Sequence, residues 1–368
     1  MAGVGAGGRA AGGVPAVRPD LTALVGYHSA QVDVAVRLNT NESPMPPPAA
    51  WQRALAEAVG GVEFNRYPDR GATALRRALA DSHGVGPDQV FCANGSNEVL
   101  QSLLLAFGGP GRTCALFEPT YTLHGHIARV TGTQVAAGLR RHDFGLDLDV
   151  VARVVAGSDP VLTFLCSPNN PTGRADTLDE ITTVAGLVPG LLVVDEAYGQ
   201  FAPSSALELR ASRPDSSRHV VVVRTFSKTW SMAGARLGYL VADPEVVAAC
   251  ELVALPYHLD AVTQLAGRLA LEYVDEMNAR VAAVAEERGR IAATFAELPV
   301  ESWPSDANFL LFRPTDKEAG AVWSDLVASG VLVRDCSTWP GLTGCLRVTV
   351  GLPEENDRFL AALTESLR

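Results

Sequence analysis

The chain has 368 residues, 47% of them hydrophobic and 19% charged, with a formal net charge of −11. This length and apolar content support a large core and suggest two domains. No run of clustered lysine or arginine offsets the negative charge, which argues against nucleic acid or an anionic membrane as a main partner; an anionic ligand needs local positive groups.

The opening stretch "MAGVGAGGRAAGG" matches G-x-G-x-x-G at Gly3, Gly5 and Gly8. That fingerprint works only where a strand feeds a helix, and no strand precedes it, so residues 1–18 read as a disordered Gly/Ala-rich tail. The stretch also lacks the apolar core of a signal peptide, and no apolar run approaches the ~20 residues of a membrane helix. Six cysteines (Cys92, Cys114, Cys166, Cys250, Cys336 and Cys345) show neither C-x-x-C nor zinc-ligand spacing and lie mostly in apolar runs. They read as buried reduced thiols, and a soluble, cytoplasmic protein is expected.

Residues 19–45 are read as an extended N-terminal arm. Beyond it, apolar strands alternate with helical patterns. Strands are predicted at 89–94, 113–119, 161–167, 191–197 and 219–225, and helices at Asn97–Phe107, Leu178–Leu187 and Pro244–Ala254. The strands are continuous apolar runs, as in "HVVVVRT", so both faces are covered. Residues 46–255 are therefore read as a large α/β domain with a mostly parallel sheet and helices on both sides. "ALPYHLDAVTQ" (254–264) breaks the alternation. A long helical pattern follows from 260 to 298, then short strands near 309–313, 331–334 and 345–350 and a closing helix at 355–367. Residues 256–368 are read as a smaller α+β domain.

In such sheets ligands bind at the carboxyl ends of strands, and there the polar residues cluster. "FCANGSNE" delivers Gly95, Ser96 and Asn97 to a helix start, and "LCSPNNPTG" delivers Asn170. "LLVVDEAY" delivers Asp195 and Tyr198, and "VVRTFSK" delivers Thr225, Ser227 and Lys228. Singly each has a bland reading: N-P-T-G is turn chemistry and N-G-S-N-E an N-cap. Together they place an anion cradle, a carboxylate, an amide and an amine on one rim. Pyridoxal phosphate needs that set: a helix N-terminus and a cation for its phosphate, an anion for its ring nitrogen, donors for its ring oxygen and a lysine for its aldehyde. His124 and His126 ("HGH"), one residue apart without acidic neighbours, read as a solvated helix start and not as metal ligands.

From about Asp20 to the end, the chain resembles the histidinol-phosphate aminotransferase family of fold-type I pyridoxal-phosphate enzymes. The motifs are "RLNTNESP", "RYPD", "ANGSNEVL", "EPTY", "SPNNPTG", "VVDEAY", "RTFSKTWSMAGARLGY", "LVRD" and "CLRVTVG". The resemblance implies an aminotransferase of histidine biosynthesis, moving an amino group between L-histidinol phosphate and 2-oxoglutarate. It implies that Lys228 is the Schiff-base lysine, that Asp195 partners the pyridinium nitrogen, and that Asn170 and Tyr198 donate to the ring oxygen. Gly95, Ser96, Asn97, Thr225, Ser227 and Arg236 match the phosphate cradle, and Tyr121 the residue stacked on the ring. Tyr67 corresponds to a residue that reaches a neighbour's phosphate, which implies a homodimer with shared sites. Tyr27, Asn41, Arg334 and Arg347 correspond to substrate-binding positions. The alternative readings are an aromatic amino-acid or specialised-metabolite aminotransferase of the same family and a pyridoxal-phosphate decarboxylase or lyase on the same fold. Met45, "TWSM" (229–232), His124 and "DCSTWPGLTGC" (335–345) depart from the family pattern, and all are expected near the pocket mouth.

Overall fold

The computed structural model describes residues 15–22, 24, 26 and 30–368. The glycine fingerprint of the opening stretch and Tyr27 lie outside the described residues. Twelve strands are found among them: β1 (Val36–Leu38), β2 (Val90–Ala93), β3 (Thr113–Glu118), β4 (Gln134–Leu139), β5 (Leu162–Cys166), β6 (Leu191–Asp195), β7 (Val220–Thr225), β8 (Gly238–Val241), β9 (Val300–Ser302), β10 (Phe309–Pro314), β11 (Val331–Asp335) and β12 (Leu346–Thr349).

Seven of these form a sheet in the order β2-β8-β7-β6-β5-β3-β4, in which only β8 runs antiparallel to its neighbours. The four valines of β7 show why the sheet is two-sided. Val221 and Val223 pack with Val99, Leu103 and Val246 from the helices Ser96–Phe107 and Pro244–Val253. Val220 and Val222 pack on the opposite face with Val151, Ile181 and Val184 from the helices Leu148–Ser158 and Leu178–Leu187. All four valines are fully buried, each contributing about 1.5–3 kcal/mol of hydrophobic stabilisation.

The second sheet has the order β1-β11-β12-β10-β9. Its edge strand β1 comes from the N-terminal arm and pairs in parallel with β11, Val36 opposite Val331. Phe295, Phe312 and Phe359 anchor its core. The pattern at 260–298 divides into helices Ala261–Ala270 and Val274–Phe295 around a 3-10 turn at Leu271–Tyr273. Four strands were not foreseen: β1 and β9 are only three residues long, and the other two carried too weak a pattern. β4 is an edge strand with exposed ends, and β8 is four residues long and opens on a glycine. That glycine is required, since a Cβ on Gly238 would lie 2.2 Å from the Ser96 amide nitrogen. The six cysteines are buried free thiols. No described helix is long and apolar enough to cross a membrane.

Candidate active site

A cleft of about 540 Å³ opens at the carboxyl ends of β5, β6 and β7 and is closed on its other side by the N-terminal arm and the smaller sheet. Each of its walls follows from how a strand ends. β7 stops at Thr225, and three residues later Lys228 projects into the cleft. Its Nζ donates to the carbonyl of Thr40 at 3.1 Å and lies 5.9 Å from the centre of the Tyr198 ring. Burial, the nearby Arg347 guanidinium and, more weakly, Arg236 push the Lys228 amine down to about 7, against the opposing pull of Glu42. Near neutrality this amine therefore has a free lone pair for much of the time.

One end of the cleft is an anion cradle. Gly95 caps the helix Ser96–Phe107 with φ near +79°, a conformation only glycine adopts without strain. A Cβ at Gly95 would lie 2.5 Å from Arg236 Nη2, so the missing side chain makes room for the guanidinium. Ser96 and Asn97 open this helix and line the same cleft, and the first amides of a helix are those available to an anion. Arg236 Nη1 donates to Ser227 Oγ at 3.3 Å and to the Ala233 carbonyl at 3.1 Å, while Ser227 Oγ lies 3.0 Å from Thr225 Oγ1. The short turn Ala233–Ala235 carries the chain around this end, and Arg236 itself sits in the left-handed region at φ 52°.

In the middle, Asp195 ends β6 and is 1% exposed. Its Oδ1 accepts the Ala197 amide at 3.1 Å, and its Oδ2 lies 2.9 Å from His124 Nε2. Nε2 is thus the ring nitrogen placed to donate to this carboxylate. This corrects the reading of His124 as part of a solvated helix start: it is fully buried, stacked on Phe164 and bound to Asp195. The signal was available in its spacing, three residues after Tyr121, where the helix Thr122–Val130 turns one face inward. Tyr121 lines the cleft, donates to Asn97 Oδ1 at 3.2 Å and meets His124 edge-on.

From the smaller sheet, β11 and β12 place Arg334 directly opposite Arg347 in an antiparallel pair. Both line the cleft. Arg347 is 5% exposed; it donates to Asn170 Oδ1 at 2.5 Å and to the Asn39 carbonyl at 2.9 Å. Arg334 lies over the ring of Trp339 at 5.8 Å. Asn41 lines the cleft from the arm and donates to Tyr198 Oη at 2.9 Å, and Asn170 Nδ2 faces the same oxygen at 3.5 Å.

One anticipated residue lies elsewhere on this chain. Tyr67 is 80% exposed and stacks on Tyr257 with ring centres 4.4 Å apart, away from the cleft. Besides the fully buried His124, two further departures from the family pattern lie away from the mouth, contrary to expectation. Met45 packs against the core of the smaller sheet. Trp230 and Met232 of "TWSM" are buried with Trp51, and Trp230 stacks on Phe226 at 5.3 Å. Of the loop at 335–345, Trp339 reaches the cleft wall. Thr40 and Glu42, which flank Asn41 in "RLNTNESP", also line it and were not singled out in the sequence.

The donor set fits pyridoxal phosphate. The glycine-lined cradle suits a phosphate dianion, Asp195 suits a protonated ring nitrogen, and Lys228 suits an aldehyde. The fold and the cleft together define a fold-type I aminotransferase, and the sequence profile of aminotransferase class I and II matches residues 33–363. The chain belongs to that family. Histidinol-phosphate aminotransferases of Frankia casuarinae and Mycobacterium ulcerans are 47% and 44% identical to it, over 97% and 94% of the chain and 91% of each relative. The solved histidinol-phosphate aminotransferase of Sinorhizobium meliloti, in complex with pyridoxal-5'-phosphate, superposes with a TM-score of 0.88 at 25% identity, covering 97% of this chain and 99% of that one. The L-threonine-O-3-phosphate decarboxylase of Porphyromonas gingivalis shares the fold, with a TM-score of 0.77 at 22% identity over 89% and 98% of the two chains.

Proposed function

We propose that this aminotransferase moves an amino group between L-histidinol phosphate and 2-oxoglutarate. The observation that carries this reading is the pairing of Arg334 with Arg347 in the wall of the same cleft that holds the cradle. Histidinol phosphate carries a phosphate ester where an amino acid carries its α-carboxylate. One planar guanidinium suits a carboxylate, and two suit a dianion. Relatives at 43–47% identity bearing the name of that activity support it.

Bound pyridoxal phosphate supplies the aldehyde that captures the amine and the conjugated ring that draws electrons from Cα. Gly95, Ser96, Asn97, Thr225, Ser227 and Arg236 hold its phosphate. Asp195, steadied by His124, holds the ring nitrogen in its protonated form. Asn170 and Tyr198 donate to the ring oxygen, and Tyr121 walls the ring. Lys228 Nζ, poised near neutrality, takes the proton from the substrate Cα and returns it during transfer. Arg347 orients the carboxylate of glutamate, and Arg334, Asn41 and Tyr27 complete the grip on the phosphorylated substrate.

Residues 46–255 form the cofactor domain and 256–368 the smaller one, with the arm bridging them. The chain works as a cytoplasmic homodimer in which Tyr67 reaches the neighbouring subunit's cradle. Its 80% exposure, together with that of Phe64 at 74% and Leu255 at 75%, supports a covering copy. Half-reaction spectroscopy tests the substrate. Loaded enzyme mixed with histidinol phosphate should lose its visible band at far lower concentration than with phenylalanine or tyrosine. Equal responses to all three would overturn the assignment.

A further inference from the structure

Tyr198 lines the cleft with a hydroxyl that has one hydrogen to give and two lone pairs. Where that hydrogen points decides whether Tyr198 can serve a ligand oxygen. Asn41 Nδ2 donates to Tyr198 Oη at 2.9 Å, so the hydrogen of Tyr198 is directed away from Asn41. An amide has two ends, however. Turned over, Asn41 would present Oδ1 to Tyr198 and draw that hydrogen to itself.

Thr349 distinguishes the two orientations. Its Oγ1 accepts the backbone N–H of Asn41 at 3.0 Å and lies 3.0 Å from Asn41 Oδ1. The threonine hydrogen therefore goes to Oδ1, and Nδ2 is left facing Tyr198. With the amide reversed, the threonine hydrogen would lose its acceptor in a site where Asn41 is 1% and Thr349 4% exposed. An unmade hydrogen bond is costly at such depth. Asn41 has little freedom to escape, because its backbone is held at φ 57° and its carbonyl accepts from Asn308 Nδ2 at 3.1 Å.

Thr349 does not itself line the cleft. It lies two residues after Arg347 on β12, and alternate residues of a strand leave it on one face. Arg347, a donor only, fixes the other amide beside Tyr198 by binding Asn170 Oδ1. Burial raises the Tyr198 phenol above its ordinary value, so it keeps its hydrogen at neutral pH.

We propose that Thr349 is a positioning residue that sets the hydrogen-bond polarity of Tyr198 through Asn41, so that the phenol donates into the cleft. The inference rests on pyridoxal phosphate binding there with its ring oxygen near Tyr198. A donor to that oxygen favours its anionic form, so losing the donor moves the pH midpoint of the bound cofactor's visible absorbance upward.

The test is a pH titration of that absorbance in purified, pyridoxal-phosphate-loaded variants, with thermal melting as the check on folding. Thr349→Val should raise the midpoint by about 0.5–1 pH unit, whereas Thr349→Ser should leave it within about 0.2. In a Tyr198→Phe background, Thr349→Val should add nothing further. Thr349→Ala replaces valine if that variant does not accumulate. A folded Thr349→Val protein with the parental midpoint, an equal shift in Thr349→Ser, or additivity with Tyr198→Phe would each overturn the proposal. A parent protein that binds no pyridoxal phosphate would instead overturn the cofactor reading on which it rests.

Discussion

The depressed Lys228 amine has a direct kinetic consequence. An ordinary lysine titrates near 10.5, and in this cleft the value is about 7. At pH 7 the neutral form is then on the order of a thousand-fold more abundant than for a solvated lysine. Only the neutral amine attacks an aldehyde. The rate at which apo-protein captures added pyridoxal phosphate should therefore rise about tenfold per pH unit below about pH 7 and flatten above it. Stopped-flow absorbance reads this directly. Neighbouring charges should move the bend in known directions. Arg347→Gln removes a positive neighbour and should move it up, while Glu42→Gln removes the opposing carboxylate and should move it down. Burial is the largest cause, so the bend should stay well below 10.5 in both variants. A rate that keeps climbing through about pH 9 in the parent would refute the reasoning, because it would make Lys228 an ordinary ammonium.

Arg236→Ala removes a charge-assisted contact and should raise the dissociation constant for pyridoxal phosphate about 10- to 100-fold, read by equilibrium dialysis; Gly95→Ala, whose Cβ would intrude on Arg236 Nη2, should weaken it in the same direction. His124→Phe leaves Asp195 Oδ2 without its 2.9 Å donor, and steady-state kinetics should show kcat reduced about tenfold. Asp176→Ala should strand the fully buried Arg140, whose Nη1 and Nη2 donate to Asp176 at 2.7 and 3.1 Å. Urea unfolding should report a loss of about 3–5 kcal/mol, and unchanged stability would contradict the cost expected of an unpaired buried guanidinium.

The parts of the fold most legible in the sequence were those with continuous physical signals. The valines of β7 announced a strand covered on both faces, and helices alternate on the two sides of it. The residues ending β5, β6 and β7 were readable because a parallel sheet delivers its carboxyl ends to one rim. What escaped was set by contacts distant in sequence. His124 looked like a helix-start residue until the fold brought it 71 positions away to Asp195. Thr349 drew no notice because a buried strand threonine is unremarkable until an asparagine 308 positions earlier needs its hydrogen. "TWSM" raised the converse difficulty: it follows Lys228 directly, yet Trp230 turns into the core beside Phe226 and Trp51. Adjacency in sequence to a cleft residue says nothing about which way the next side chain points.

Choice of a phosphorylated substrate turns on the two arginines facing each other across β11 and β12. Its most direct test compares kcat/KM of the parent and Arg334→Ala for histidinol phosphate and for phenylalanine. Loss of one charged contact to a phosphate should lower kcat/KM for histidinol phosphate about 10- to 100-fold and leave phenylalanine within about threefold. Equal losses on the two substrates would contradict the claim that this pair selects a phosphorylated amine.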